Sequence, residues 1–266
     1  MPTPTKSGYV PVTGGQVWYA TYGSGDPVVL LHGGLMTVTD FGPVLSKLSE
    51  THEVIAVEAQ GHGHTGPLDR AMSFDAMAED VATVTRALGY DAVDVVGYSM
   101  GGTIGLRLAL AHPELVDRLV IASAPFAYAG WHDYNQQGMR MLNATAAEGM
   151  KGTPLYESFA AVNPDPATNF PKLLDQMQYM GQDYDYAAEI PNLTVPTMLV
   201  YGDWDAVRTS HVARFFELLG GGLQDAGWDA SGMNQNRLAI LPGVTHYTMM
   251  TEPRLVDVAA EFIDQE

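Results

Sequence analysis

Six short runs of apolar residues, at 27–31, 54–57, 93–96, 119–122, 197–201 and 238–241, recur along this 266-residue chain with helical patterns between them. Each run is too short for a buried helix and shows no polar face, which is the pattern of a strand covered on both sides. Gln16 to Tyr22 differs: it alternates, as a half-exposed strand does. Between the runs the period changes to that of a helix. Phe74, Met77, Ala78, Val81, Val84, Thr85 and Leu88 fall on one face of a predicted helix. Ser73 stands before it as N-cap, with Asp75, Glu79 and Asp80 early, Arg86 late and Gly89 as the stop. Thr103 to Ala111, His211 to Leu219 and Leu255 to Ile263 repeat the theme. Strand alternating with helix predicts an α/β class, a doubly wound, mostly parallel sheet with right-handed crossovers.

One stretch interrupts the alternation. From Phe126 to Pro191 no strand pattern occurs, and Met139, Met141, Met150, Met177 and Met180 mix with aromatics. The expected organisation is therefore a core of residues 1–125 and 192–266, with a helical cap at 126–191 inserted after the sixth strand. A helix pair packed on the sheet edge is the alternative. The Gly-rich excursion from Gly220 to Gly232 reads as a surface loop, because neither a helix start nor a Lys-Ser/Thr pair follows it.

The balance of 31 acidic against 13 basic residues, net charge −18, makes nucleic acid and anionic membranes poor partners. No apolar run approaches the roughly 20 residues needed to cross a bilayer. The first residues, Met1-Pro2-Thr3-Pro4-Thr5-Lys6, lack the apolar stretch of a signal peptide, so the expected compartment is the cytoplasm. With no Cys, disulfides, thiolate nucleophiles and Cys-ligated metals are excluded.

The run Val93 to Val96 leads into Gly97-Tyr98-Ser99-Met100-Gly101-Gly102 and then directly into a helix. Gly-x-Ser-x-Gly is weak evidence alone, but in the order strand, tight turn, helix it describes a nucleophile elbow. A serine hydroxyl needs a base, and the base needs an oriented partner. His246, in Pro242-Gly243-Val244-Thr245-His246-Tyr247, lies past the last strand, where it can reach back to the sheet's carboxyl edge. The acid is expected between Ser and His in sequence, and Gly202-Asp203-Trp204-Asp205 offers two carboxylates. Asp205 lies further into the loop and is favoured; Asp203 is the alternative, better placed to hydrogen-bond the turn itself. Two N–H donors are needed for a developing oxyanion. The backbone of Met100 and that of Gly34, in the His32-Gly33-Gly34 loop, are the candidates, with His32 bracing the loop.

These pieces, with Gln60-Gly61-His62-Gly63-His64-Thr65, occur in one order along nearly the whole chain and resemble the α/β-hydrolase superfamily, in its esterase and haloperoxidase-like branch. The resemblance implies an eight-stranded, mostly parallel sheet, a helical cap, no cofactor, and a Ser99–His246–Asp205 triad with Gly34 and Met100 as oxyanion donors. The chain departs from the family at Glu58-Ala59-Gln60, where Asp-x-Arg is usual. Ser rather than Asp at position 99 argues against dehalogenases of the same fold.

His62 and His64 form a His-x-His pair, but neither Cys nor a third nearby His completes a metal site, so none is expected. The expected activity is two-step hydrolysis of small to medium apolar carboxylic esters. Leu35, Met36, Phe126, Tyr128, Trp131, Met177, Met180, Trp204 and Tyr247 are the candidate pocket wall, Met-rich and aromatic and therefore adaptable. Lactone, amide or C–C bond hydrolysis and perhydrolysis fit the same triad, as does a receptor with a vestigial one. An aminopeptidase would need an acid for the substrate amine, for which Glu148 or Glu157 could serve.

Overall fold

The computed structural model describes residues 2–265. Eight strands form one sheet: β1 (Lys6–Val12), β2 (Gly15–Gly23), β3 (Pro27–Leu31), β4 (Glu53–Val57), β5 (Val93–Tyr98), β6 (Val116–Ala122), β7 (Thr197–Trp204) and β8 (Arg237–Thr245). Their spatial order is β1-β2-β4-β3-β5-β6-β7-β8. β2 runs antiparallel to both β1 and β4, and every other neighbouring pair is parallel. The helices of the sheet layers are α1 (Pro43–Leu48), α2 (Phe74–Leu88) and α3 (Met100–Ala111), followed after β7 by α8 (Thr209–Leu218) and then α9 (His246–Met249) and α10 (Pro253–Ile263). Between β6 and β7 lie α4 (Asp133–Met141), α5 (Ala147–Met150), α6 (Pro154–Val162) and α7 (Pro166–Gln176).

The strand runs are apolar throughout because both faces are covered. Val29, Leu31, Ile55, Val57, Val95, Leu119 and Ile121 join one buried cluster with residues of α2 and α3. Their neighbours in sequence, Val28, Leu30, Val54, Ala56, Val96 and Val120, join a second with α1 and α10. Alternate side chains point to opposite faces, so every position of a central strand leaves water, at about 1.5–3 kcal/mol per large apolar side chain.

α2 spans the residues its pattern predicted. Ser73 Oγ accepts from Ala76 N–H at 3.1 Å, and Gly89 ends the helix with φ of 89°. Asp80, however, is buried rather than solvated, and it is ion-paired with Arg70. The strand Lys6–Val12 and the short helix α1 carry no clear pattern and were not expected. The segment between β6 and β7 contributes Phe159, Phe170, Leu173, Leu174, Met177 and Met180 to the cluster beneath α2 and α3. Among the described residues it holds no strand, only isolated bridges, Ala127 with Asp185 and Trp131 with Val207. No described helix is long and apolar enough to cross a membrane.

Candidate active site

The carboxyl ends of the parallel strands carry the polar residues singled out above. β5 ends in the elbow, where Ser99 is buried at φ 54° and ψ −117°. An L residue avoids this backbone region, so the neighbours must hold it there. They do so by close approach. A Cβ on Gly97 would lie 2.3 Å from Gly101 O, and one on Gly101 would lie 2.2 Å from Leu31 O. Ser99 N–H donates to Ala122 O of β6 at 2.8 Å, which ties the turn to the next strand.

His246 stands at the first position of α9, capped by Thr245. Its Nδ1 lies 3.0 Å from Asp205 Oδ1. The other ring nitrogen is left for the cavity that His246 shares with Ser99. Ser99 Oγ forms no side-chain hydrogen bond among the described residues; such contacts tighten when substrate is bound. Tyr98, the residue within the elbow that the sequence did not mark, donates from Oη to His246 O at 2.7 Å. It fixes the backbone of the imidazole to the strand that carries the serine.

Asp205 is saturated by donors. Oδ1 accepts from His246 and from Val207 N–H at 3.1 Å; Oδ2 accepts from Ser123 Oγ at 2.5 Å and Gly202 N–H at 3.2 Å. Burial alone would push its carboxyl up, but the bonds from His246, Ser123 and Val207 together outweigh it and hold the group below its ordinary value. Asp203 does something else. Its Oδ1 accepts from Gly243 N–H at 2.8 Å and Val244 N–H at 3.3 Å, so it ties down the loop that delivers His246.

The 32–36 loop is braced by two buried imidazoles. His32 Nδ1 donates to Gly33 O at 2.8 Å while Nε2 accepts from Ala59 N–H at 3.0 Å. His62 Nδ1 donates to Gln60 O at 2.9 Å, and Nε2 accepts from Leu35 N–H at 3.0 Å. Both rings are therefore neutral. Burial pushes both below their usual value, that of His62 to about 3 with help from neighbouring His32. Leu35 itself sits at φ 63°, a turn that leaves Gly34 and Ser99 lining the same cavity. The N–H groups of Gly34 and Met100 have no protein acceptor among the described residues; that of Met100 is one of the free donors at the start of α3.

With both nitrogens of His62 engaged and His64 stacked on Trp18 and bonded to Glu58, the His-x-His pair is a brace. Glu58, at the departure from the family pattern, is fully buried and accepts from Val38 N–H, His64 N–H and His64 Nδ1. It joins the loop after β4 to the loop after β3. Among the described residues no group of three or more His, Asp or Glu could hold a metal.

A cavity of about 700 Å³ opens above Ser99. Of the nine expected wall residues, Leu35, Trp131, Met177, Met180 and Tyr247 line it. Four lie elsewhere. Met36 is buried under the loop, its sulfur close to Gly33. Phe126 stacks on His211 and meets Phe215 edge-on, and Tyr128 lies under the Arg140 guanidinium. Trp204, at the end of β7 beside Thr245, is exposed and lines a neighbouring groove that shares Tyr134, Asn135, His246 and Tyr247 with the cavity but not Trp204 itself. The rest of the wall comes from Tyr134, Asn135, Gln137, Met139, Met141, Leu142 and Met150, on or next to α4 and α5. Met177 and Met180 were singled out from the methionine cluster, but nothing in the sequence marked that Met139, Met141 and Met150 face the cavity as well.

A family model described as the alpha/beta hydrolase fold matches residues 26–155. The chain is 27% identical to the 2-hydroxy-6-oxo-6-(2'-aminophenyl)hexa-2,4-dienoic acid hydrolase of Metapseudomonas resinovorans, over 92% of this chain and 86% of that one. It is 28% identical to the human serine hydrolase BPHL, over 76% and 72% of the two chains. The crystal structure of carboxylesterase CesB from Bacillus subtilis superimposes with a TM-score of 0.74 at 20% identity, covering 100% of this chain and 94% of that one. The chain has the α/β-hydrolase fold and is a hydrolase. The eight-stranded, mostly parallel sheet is the one the resemblance implied.

Proposed function

We propose that this protein hydrolyses carboxylic esters of small to medium apolar substrates through an acyl-enzyme on Ser99. His246 takes the Ser99 proton as the hydroxyl attacks the carbonyl, and returns it to the leaving alcohol. Asp205 holds the proton of His246 at Nδ1, which keeps Nε2 free to accept, and steadies the imidazolium that forms. The N–H groups of Gly34 and Met100 receive the oxyanion. Water activated by the same imidazole then clears the acyl group. The observation that carries this reading is the Asp205–His246 pair opening onto one cavity with a serine in a left-handed elbow.

Residues 126–191 serve in this reading as the cap, whose α4 and α5 roof the cavity. The wall supports uncharged substrates: no Asp, Glu, Lys or Arg is among its lining residues. The nearby charges are engaged elsewhere, Arg140 with Asp183, Arg208 with Asp133, and Glu148 with Lys151. Glu157 accepts from Gly152 N–H. A substrate carboxylate or ammonium would be buried here without a partner, at a cost of several kcal/mol. This favours neutral esters over the dienoic acids named for the Metapseudomonas relative and over amine-bearing peptides.

The test is a panel of p-nitrophenyl acetate, butyrate and octanoate beside esters ending in a carboxylate, together with a dienoic C–C substrate and neutral lactones and amides. Turnover of the neutral esters, abolished in Ser99→Ala, is expected. Faster cleavage of the C–C or carboxylate-bearing substrates would overturn the reading.

A further inference from the structure

Ser123 follows the last residue of β6 and is fully buried. It holds φ of 54°, a region that a residue with a Cβ enters only under constraint. The constraint is visible on both sides of it. Ser123 N–H donates to Val200 O at 2.9 Å, and Tyr201 Oη donates to Ala124 O at 2.5 Å. Glycine would occupy this turn without strain. The chain keeps a side chain there, and its hydroxyl donates to Asp205 Oδ2 at 2.5 Å. One residue earlier, Ala122 O accepts from Ser99 N–H. The end of β6 therefore touches the nucleophile's turn with one residue and the acid with the next.

We propose that Ser123 is a positioning residue: its hydroxyl turns the Asp205 carboxylate so that Oδ1 meets His246 and so sets the imidazole for Ser99. The inference rests on the roles given above to Asp205 and His246. Without the hydroxyl, Oδ2 keeps only the longer bond from Gly202 N–H, and the carboxylate is free to rotate away from the imidazole. Ser123 touches no substrate and lies outside the cavity wall, so its removal should act on kcat and leave KM nearly unchanged.

The experiment uses Ser123→Ala and Ser123→Gly, alone and combined with Asp205→Asn. Each single variant is expected to lose about tenfold or more in kcat on p-nitrophenyl butyrate, with KM within about twofold. In the Asp205→Asn background the further loss should be under about twofold, since the hydroxyl acts through that carboxylate. Ser123→Gly relieves the backbone and keeps the question open to test if Ser123→Ala does not fold. The downfield Nδ1 proton of His246 reads the same contact by NMR with no substrate present and should shift in either variant. A wild-type protein that cleaves no ester would sink the proposed function while leaving this resonance to judge Ser123. Unchanged kcat, an unmoved resonance, or losses that multiply in the double variant would overturn the proposal.

Discussion

Replacing Asp205 by asparagine separates the two carboxylates that the sequence left as alternatives. All four contacts on Asp205 come from donors: His246 Nδ1, Val207 N–H, Ser123 Oγ and Gly202 N–H. An asparagine must point its NH₂ at one of these pairs. If it faces His246, Nδ1 becomes the acceptor, Nε2 carries the proton, and the imidazole cannot take one from Ser99. If it faces Gly202, two N–H groups oppose each other, and no negative charge remains to steady the imidazolium. Either way kcat should fall by about 10⁴, the size of the effect known for the same change in a serine protease triad, or roughly 5 kcal/mol of barrier. Asp203→Asn keeps a carbonyl oxygen for Gly243 N–H and should cost less than about tenfold, through a looser His246 loop. Steady-state hydrolysis of p-nitrophenyl butyrate, with the rate of fluorophosphonate labelling as a second reading, measures both. An Asp205→Asn enzyme within tenfold of wild type, or an Asp203→Asn enzyme more damaged than it, would refute the assignment of the acid.

Tyr98→Phe leaves His246 O without its buried donor and should cost about 1–3 kcal/mol of stability with a several-fold loss in kcat, read by urea denaturation and kinetics. Gly34→Ala places a Cβ 2.6 Å from the Met177 methyl at the cavity wall; turnover should drop, and Met177→Ala in the same chain should restore part of it. Stability should decline on acidification because His62 takes up a proton in the unfolded chain near pH 6.5, while in the folded one it stays neutral down to about 3. The contribution is intact above 6.5, and as much as about 5 kcal/mol is lost as pH falls from there to about 3. Urea midpoints should follow, and His62→Gln should flatten the curve; an equally steep curve in the variant would assign the loss to other groups. EDTA should leave ester hydrolysis unchanged, and inhibition reversed by zinc would restore the metal reading of His62 and His64.

What could be read from the chain follows from where the side chains get their constraints. Central strands such as Val28 to Leu31 declare themselves because burial on both faces forces a continuous apolar run. β1 does not. Lys6–Val12 is a largely exposed edge paired only to β2, and its pattern is that of a polar loop. Ser99, His246 and Asp205 were legible because chain order and the strand ends limit the choice. Ser123 and Tyr98 were not marked, because a small polar residue after a strand and an aromatic within an elbow are unremarkable until the fold brings them to Asp205 and His246. The cavity wall was the least legible part. Whether Met139 or Phe126 faces Ser99 depends on how α4 lies over the sheet and how His211 and Phe215 take up the Phe126 ring, and neither leaves a period in the sequence.

Rapid quenching of the protein with p-nitrophenyl butyrate, followed by mass analysis of its peptides, tests the covalent step most directly. The account predicts a butyryl adduct on the peptide carrying Ser99, formed with the burst of nitrophenol and absent in Ser99→Ala. Turnover with no adduct there, or an adduct on another residue, would contradict it.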